Sequence, residues 1–326
     1  MSRTRLISVV ALLAVLAASV LLVACGSGDG SSTGASADRP VIAVTTPVLG
    51  AVVADAVGDR AEVRVVMPNG SDPHEWRPSA RDVATLQDAD LIVQNGLGLE
   101  EGLTKAVQRA RESGVPVFTA TDHVRVRHVE EGAGDHDHAG DADHAGDADH
   151  AGEGAADPHF WTDPEQMRAV VLALPSAVRS ATGADVTASA RREAAALAAL
   201  DRRLAARAKA IPAGSRTLVT GHESLGYLAD RYGLRVVGAV TPSLSSQGQV
   251  SAAHLAALSD AMREAGTRVV FAETGTPEQV ARAVSDEAGA TLVQLPSHAL
   301  PADGRYTTFL EDTMERISTA LSGRGA

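Results

Sequence analysis

Histidine carries most of the chemistry available to this sequence, because the 326-residue chain has 11 histidines and a single cysteine. Four of these histidines stand in loops that follow short apolar, β-branched runs, where strands are expected to end. They are His74, His159, His222 and His298. In open α/β sheets, ligands bind beyond the carboxyl ends of the strands. One loop histidine alone is more often a surface residue, but four at equivalent strand ends, two in each half of the chain, indicate a metal site.

Two of the four candidates share a local motif, D-P-H-x-W, at residues 72–76 and 157–161. The aspartate of the motif is placed to accept the second ring N–H of the histidine, an interaction that orients many metal ligands. Both tryptophans of the chain belong to this motif. We expect them to shield the metal–imidazole bonds from water.

Four further histidines lie in an insert at about residues 129–156, in which the hexapeptide GDADHA occurs twice in tandem. The insert is rich in Gly, Ala, Asp and His, and this composition predicts a disordered segment without a core. Its histidines are candidates for auxiliary, low-affinity metal binding: His136, His138, His144 and His150. The alternative is a solvated low-complexity segment with no effect on affinity.

Strand and helix patterns alternate along the rest of the chain, and this order predicts parallel sheets. We expect an α/β fold of two lobes, each a parallel sheet flanked by helices, with an N-terminal lobe at residues 41–181 and a C-terminal lobe at residues 212–326. Residues 182–211 are expected to join the lobes through one long helix, since the Ala-, Leu- and Arg-rich run at 187–210 contains neither Gly nor Pro.

The N-terminus has the pattern of an export signal. Residues 1–24 combine a short basic start with a long apolar run. The run is nearly long enough to be a transmembrane helix, but L-V-A-C at residues 22–25 resembles the lipobox of bacterial lipoproteins. Cys25 is therefore the predicted lipidation site, and residues 25–40, rich in Gly, Ser and Asp, are the predicted flexible tether to the membrane.

Composition excludes several other functions. The net charge of −12 argues against nucleic acid as a partner, because phosphate binding requires basic patches. A single cysteine leaves no internal disulfide and no cysteine-rich metal cluster. Aromatic residues make up only 3% of the chain, which disfavours an aromatic pocket for sugars or drugs.

The motifs around the histidines resemble those of the zinc- and manganese-type substrate-binding proteins of ABC importers. The resemblance extends over Val41–Leu321 and is carried by PNGSDPHEWRPSARDVATLQDADLIVQNG, DPHFWTDP and GHESLGYLADRYGL. It implies metal-ligand roles for His74, His159 and His222, and two lobes bridged by a rigid helix.

The fourth ligand position of that family usually holds Asp or Glu, and in this chain it falls on His298. Alternatively, a water or Glu273 completes the shell. Neutral imidazoles suit zinc, copper and nickel, whereas manganese prefers carboxylate oxygen, so a four-histidine set favours Zn²⁺ as the transported ligand.

The resemblance also implies a location and partners. It predicts a monomeric, extracytoplasmic lipoprotein on the cell membrane that delivers Zn²⁺ to the permease and ATPase of an ABC importer. A manganese-binding member of the same family remains an alternative, as do an adhesin or metal buffer on the cell surface. A zinc hydrolase is disfavoured, because the chain contains neither H-E-x-x-H nor G-x-S-x-G.

Overall fold

The first lobe is built around a four-stranded parallel sheet with the strand order β2-β1-β3-β4. The computed structural model describes residues 39–129 and 154–323 of the chain. The elements that form this sheet and its flanking helices are β1 (Val41–Val44), α1 (Pro47–Val57), β2 (Glu62–Val65), α2 (Ala80–Gln87), β3 (Leu91–Gln94), α3 (Thr104–Glu112) and β4 (Val117–Thr119).

The second lobe repeats this plan with a second parallel sheet, ordered β10-β9-β7-β8. Its elements are β7 (Thr217–Thr220), α6 (Gly226–Tyr232), β8 (Arg235–Ala239), α7 (Ala252–Ala265), β9 (Val269–Ala272), α8 (Glu278–Ala288), β10 (Thr291–Gln294) and α9 (Tyr306–Leu321). The predicted α/β fold with two parallel sheets is confirmed.

Two long helices connect the sheets: α4 (Pro164–Thr182) and α5 (Thr187–Lys209). Helix α4 begins where predicted because the Asp163 carboxylate accepts the main-chain N–H of Glu165 at 2.8 Å and Pro164 occupies the first turn. Helix α5 buries Leu197, Leu200 and Leu204 against both lobes, since it packs on α1 of the first and α9 of the second.

A small antiparallel hairpin, absent from the sequence-based expectations, precedes α4. Its strands are β5 (Arg127–Val129) and β6 (Ala155–Asp157), with Val129 paired to Ala155. The histidine-rich insert is therefore shorter at both ends than the range 129–156 predicted from composition. Val129 and Ala155, the described residues at its two ends, are paired neighbours in the hairpin.

One hydrophobic core runs through both lobes. Buried side chains of α4 and α5 join the inner faces of the two sheets into a single cluster, and two smaller clusters fill the outer layers. Among the described residues, no helix is both long and apolar enough to cross a membrane. The continuous core holds the carboxyl ends of the two sheets close to each other.

Candidate metal centre

Three histidine rings converge where the carboxyl ends of the two sheets meet. His74 follows β2, His159 follows β6 and His222 follows β7, and all three side chains are buried. The Nε2 atom of His159 lies 3.3 Å from Nε2 of His74 and 3.3 Å from Nε2 of His222. A tetrahedral zinc ion with Zn–N bonds of about 2.0–2.1 Å separates its nitrogen ligands by about 3.3–3.4 Å. These two spacings, and the presence of all three ligand atoms within 4.8 Å of one another, fit one bound ion.

His159 is held by the aspartate of its own D-P-H-x-W motif, as predicted. Asp157 Oδ1 lies 2.8 Å from Nδ1 of His159 and also accepts the His159 main-chain N–H at 2.9 Å. Burial raises the pKa of Asp157 to about 6, and the His159 main-chain N–H and Arg127 oppose this rise. The Asp157 carboxylate favours a proton on Nδ1, which directs the Nε2 lone pair of His159 toward the centre of the site.

A carboxylate from a different part of the chain lies beside the His222 ring. Oε2 of Glu273, at the end of β9, lies 2.9 Å from Nδ1 of His222. Glu273 is the alternative ligand expected from the sequence, but its Oε2 lies against the outer nitrogen of His222 and accepts the His222 main-chain N–H at 3.3 Å. Nδ1 of His222 has no aligned hydrogen-bond partner among the described residues. The Nε2 atoms of His159 and His222 lie 3.3 Å apart, and a cation bound between two neutral imidazoles is stabilised by the lone pair of each.

The loop that carries His74 is fixed by residues of the second lobe. Asp72 accepts the main-chain N–H of His74 at 3.0 Å through one oxygen and the Ser246 hydroxyl at 2.5 Å through the other. The Asn69 side chain exchanges two hydrogen bonds with the main chain of Leu300, at 2.8 and 2.9 Å. The expected contact from Asp72 to the His74 ring is replaced by these main-chain and interlobe bonds.

Only one of the two tryptophans lies at the centre. The Trp161 ring lies 5.2 Å from the His159 ring and 5.5 Å from the His298 ring, measured between centroids, and it is 5% exposed. Trp76 packs instead against the outer cluster of the first lobe. The prediction that both tryptophans shield the metal is therefore wrong for Trp76.

His298 lies beside the three converging histidines. Its ring centroid is 6.4 Å from that of His222, and the side chain is buried. Its Nε2 atom has no hydrogen-bond partner among the described residues. The three histidines whose ligand atoms all lie within 4.8 Å of one another are His74, His159 and His222. His298 therefore lies next to this group, and its Nε2 has no hydrogen-bond partner among the described residues. Its ring would have to move closer to the other three to bind the same ion.

Burial favours the neutral form of His74, His159 and His298. It lowers the pKa of His74 to about 3, with the neighbouring imidazoles as a further cause, and it lowers the pKa of His159 and His298 well below the ordinary value. Neutral imidazole is the form that binds metal. These three imidazoles are therefore in the metal-binding form at pH values where a free imidazole is already largely protonated.

These lowered pKa values predict that the metal-free protein is destabilised by acid. Between about pH 6.5 and the lower folded-state pKa, the unfolded chain binds more protons than the folded chain, so the free energy of unfolding falls as the pH drops. For His74 the loss between pH 7 and pH 5.5 is about 1 kcal/mol. Urea unfolding of the wild type and of His74→Asn, both with chelator, measures it. Equal pH dependence in the two proteins would contradict the assignment.

The remaining sequence-predicted sites lie outside the described residues. They are Cys25 and the insert histidines His136, His138, His144 and His150. The part of the insert that the structure does describe is its base, the hairpin of β5 and β6.

The chain matches the family model described as "Zinc-uptake complex component A periplasmic" over residues 42–320. The high-affinity zinc uptake system protein ZnuA of Bacillus subtilis is 30% identical over 281 residues, which are 85% of this chain and 84% of that protein. The manganese-binding lipoprotein MntA of Halalkalibacterium halodurans is 26% identical over 93% of this chain and 95% of that protein.

The fold is also found among solved structures. The periplasmic zinc-binding protein TroA from Treponema pallidum superposes with a TM-score of 0.72, covering 87% of this chain and 99% of that chain at 22% identity. At this identity the similarity establishes the fold alone. The relatives include both zinc and manganese binders, so the choice of metal depends on the residues of this chain.

Proposed function

Because the chain belongs to the zinc-uptake complex component A family, we propose that it captures Zn²⁺ between its lobes and delivers it to the permease and ATPase of an ABC importer. The observation that carries this proposal is the convergence of three buried Nε2 atoms, with that of His159 lying 3.3 Å from each of the other two. Membership of this family makes the chain a metal-binding transport component rather than an enzyme.

Zinc is favoured over manganese by the type of atoms that face the centre. The converging atoms are imidazole nitrogens, whereas the nearby carboxylates of Asp157 and Glu273 contact outer ring nitrogens. Manganese prefers oxygen ligands, and imidazole suits zinc. A manganese-binding role is the alternative, since a relative of similar length binds manganese according to its name.

We propose His298 as the fourth ligand. It is buried, and its Nε2 has no hydrogen-bond partner among the described residues, which is costly unless an ion or another group satisfies it. A shift of its ring toward His222 would complete a four-histidine, tetrahedral shell, the common closed arrangement for zinc. Such a shell leaves no open position for a reacting water, which fits binding better than hydrolysis.

Substitution of His298 tests both the metal and the fourth ligand. His298→Asp is expected to weaken zinc binding and strengthen manganese binding, lowering the ratio of the two affinities by at least about tenfold, because the substitution restores a carboxylate to the shell. Chelator competition with each metal measures the two affinities. A wild-type protein that prefers manganese would contradict the zinc proposal, and an unchanged ratio in His298→Asp would contradict the fourth-ligand assignment.

Contacts between the lobes favour a small movement during metal release. Helix α5 packs against both lobes, and the bonds of Asn69 with Leu300 and of Ser246 with Asp72 hold the lobes together over the site. We propose that the membrane partner releases the metal by displacing a few ligand loops, without a wide opening of the cleft.

The location follows from residues outside the described part of the chain. We propose that Cys25 carries the lipid that anchors the protein, as a monomer, on the outer side of the cell membrane. We further propose that His136, His138, His144 and His150 collect loosely bound metal near the site. The paired ends of the insert at Val129 and Ala155 support this, since they place its base two residues before Asp157.

A further inference from the structure

We propose that Arg127 is a positioning residue of the metal centre: it holds the Asp157 carboxylate, and through it the His159 ring, in the orientation that binds metal. This inference rests on the proposed metal-binding function. The two residues face each other across the β5–β6 hairpin, where Arg127 is paired with Asp157 in the antiparallel register. Opposite charges at directly paired positions attract each other.

The two oxygens of Asp157 divide their contacts between the ligand and the cation. Oδ1 contacts the His159 ring and main chain at 2.8 and 2.9 Å, and Oδ2 lies 3.3 Å from a terminal nitrogen of Arg127. A carboxylate with both oxygens held has one orientation available to it. The orientation of the Asp157 carboxylate in turn fixes the orientation of the His159 ring, because Oδ1 contacts its Nδ1.

Burial makes this charge pair necessary. The Asp157 side chain is 0% exposed and that of Arg127 is 27% exposed. A buried carboxylate that loses its positive partner is strongly disfavoured. Without Arg127, we expect the carboxylate to turn toward solvent and to release Nδ1 of His159.

Helix α6 of the second lobe fixes Arg127 in turn. The Arg127 Nε lies 2.8 Å from Asp230 Oδ2, and its main-chain N–H donates to the Tyr227 hydroxyl at 2.8 Å. That hydroxyl donates to the main-chain oxygen of Asp157 at 3.1 Å. The guanidinium also lies flat against Gly226, where a Cβ would stand 2.5 Å from its central carbon. Arg127 therefore connects His159 to the second lobe, and a glycine makes room for it.

The test compares zinc affinity, measured by chelator competition, in the full chain and its variants. Arg127→Met is expected to bind zinc about 10- to 100-fold more weakly, the usual cost of losing a residue that orients a metal ligand. Arg127→Lys keeps the charge and is expected to recover at least half of that loss on a logarithmic scale. Arg168→Met removes an exposed ion pair with Glu165 on helix α4 and serves as the control, for which zinc affinity is expected to be unchanged.

A second variant separates the position of the Arg127 guanidinium from its charge. Gly226→Ala keeps Arg127 but displaces its guanidinium, so it is expected to weaken zinc binding at least about fivefold, and to have no further effect in the Arg127→Met background. If Arg127→Met does not fold, Gly226→Ala alone tests whether Arg127 positions the His159 ring. The visible absorption spectrum of the Co²⁺-loaded protein is expected to change in both variants, because the His159 ring moves.

Two outcomes would overturn the inference: zinc affinity within twofold of the wild type in Arg127→Met, or, where that variant does not fold, in Gly226→Ala. Absence of tight zinc binding in the wild-type protein would overturn the proposed function instead. The two failures are therefore distinguishable in one set of measurements.

Discussion

Replacing His159 with glutamine is expected to lower the affinity for zinc at least about 100-fold. Four-ligand zinc sites bind with about 10–16 kcal/mol, so one ligand contributes about 3 kcal/mol, or about two powers of ten. His159 should meet or exceed this average, because its Nε2 lies 3.3 Å from each of the other two converging nitrogens. Without the His159 imidazole, the metal loses the ligand nitrogen that lies next to both His74 Nε2 and His222 Nε2.

The matched control is His254→Gln, the same change at a histidine outside the centre. His254 lies on α7 of the second lobe, and its Nε2 is 2.8 Å from the main-chain oxygen of Ala239. Its substitution is expected to leave zinc affinity within about twofold of the wild type. Chelator competition measures both variants. A His159→Gln protein that retains wild-type affinity would show that the metal binds elsewhere.

Removal of the metal is expected to lower the melting temperature by roughly 10 °C. A ligand at about 1,000 times its dissociation constant stabilises the folded state by about 4 kcal/mol, and for a domain of this size each kcal/mol corresponds to about 2–4 °C. The metal binds only the folded chain in this way, because residues from both lobes must converge to form the site.

The His159→Gln variant provides the control for this second prediction. Without tight binding, its melting temperature is expected to move by less than about 2 °C when zinc is replaced by chelator at the same concentrations. Calorimetry of the two proteins, each with zinc and with chelator, gives the four values needed. An equal shift in wild type and variant would assign the stabilisation to weaker sites on the surface.

Local sequence signals predicted most of the fold and three of the site residues. Alternating apolar runs, Pro164 at the start of α4 and the absence of Gly and Pro in α5 each act within a few residues, so their outcome is readable from the sequence. His74 and His222 were predicted because the ends of parallel strands gather at one edge of a sheet. His159 was predicted on the same ground, but the strand before it, β6, belongs to the small hairpin and to neither parallel sheet. The D-P-H-x-W motif also predicted the contact of Asp157 with His159.

The contacts that escaped prediction join residues far apart in the chain. Glu273 reaches His222 across 51 positions, and Ser246 reaches Asp72 across 174. No local sequence motif around Glu273 or Ser246 indicates its partner. The β5–β6 hairpin escaped because its strands have three residues each and lack a hydrophobic alternation. Arg127 became visible only once that hairpin placed it opposite Asp157.

The most direct test of the proposed interlobe zinc site is the metal stoichiometry of a chain in which residues 130–154 are replaced by an Asn-Gly turn. This design keeps the pairing of Val129 with Ala155 and uses a turn that favours two-residue hairpins. We predict that one tightly bound zinc per chain remains after dialysis. A protein that folds but retains no tight zinc would show that the insert is the main binder, and would contradict the assignment of His74, His159 and His222 as the transport site.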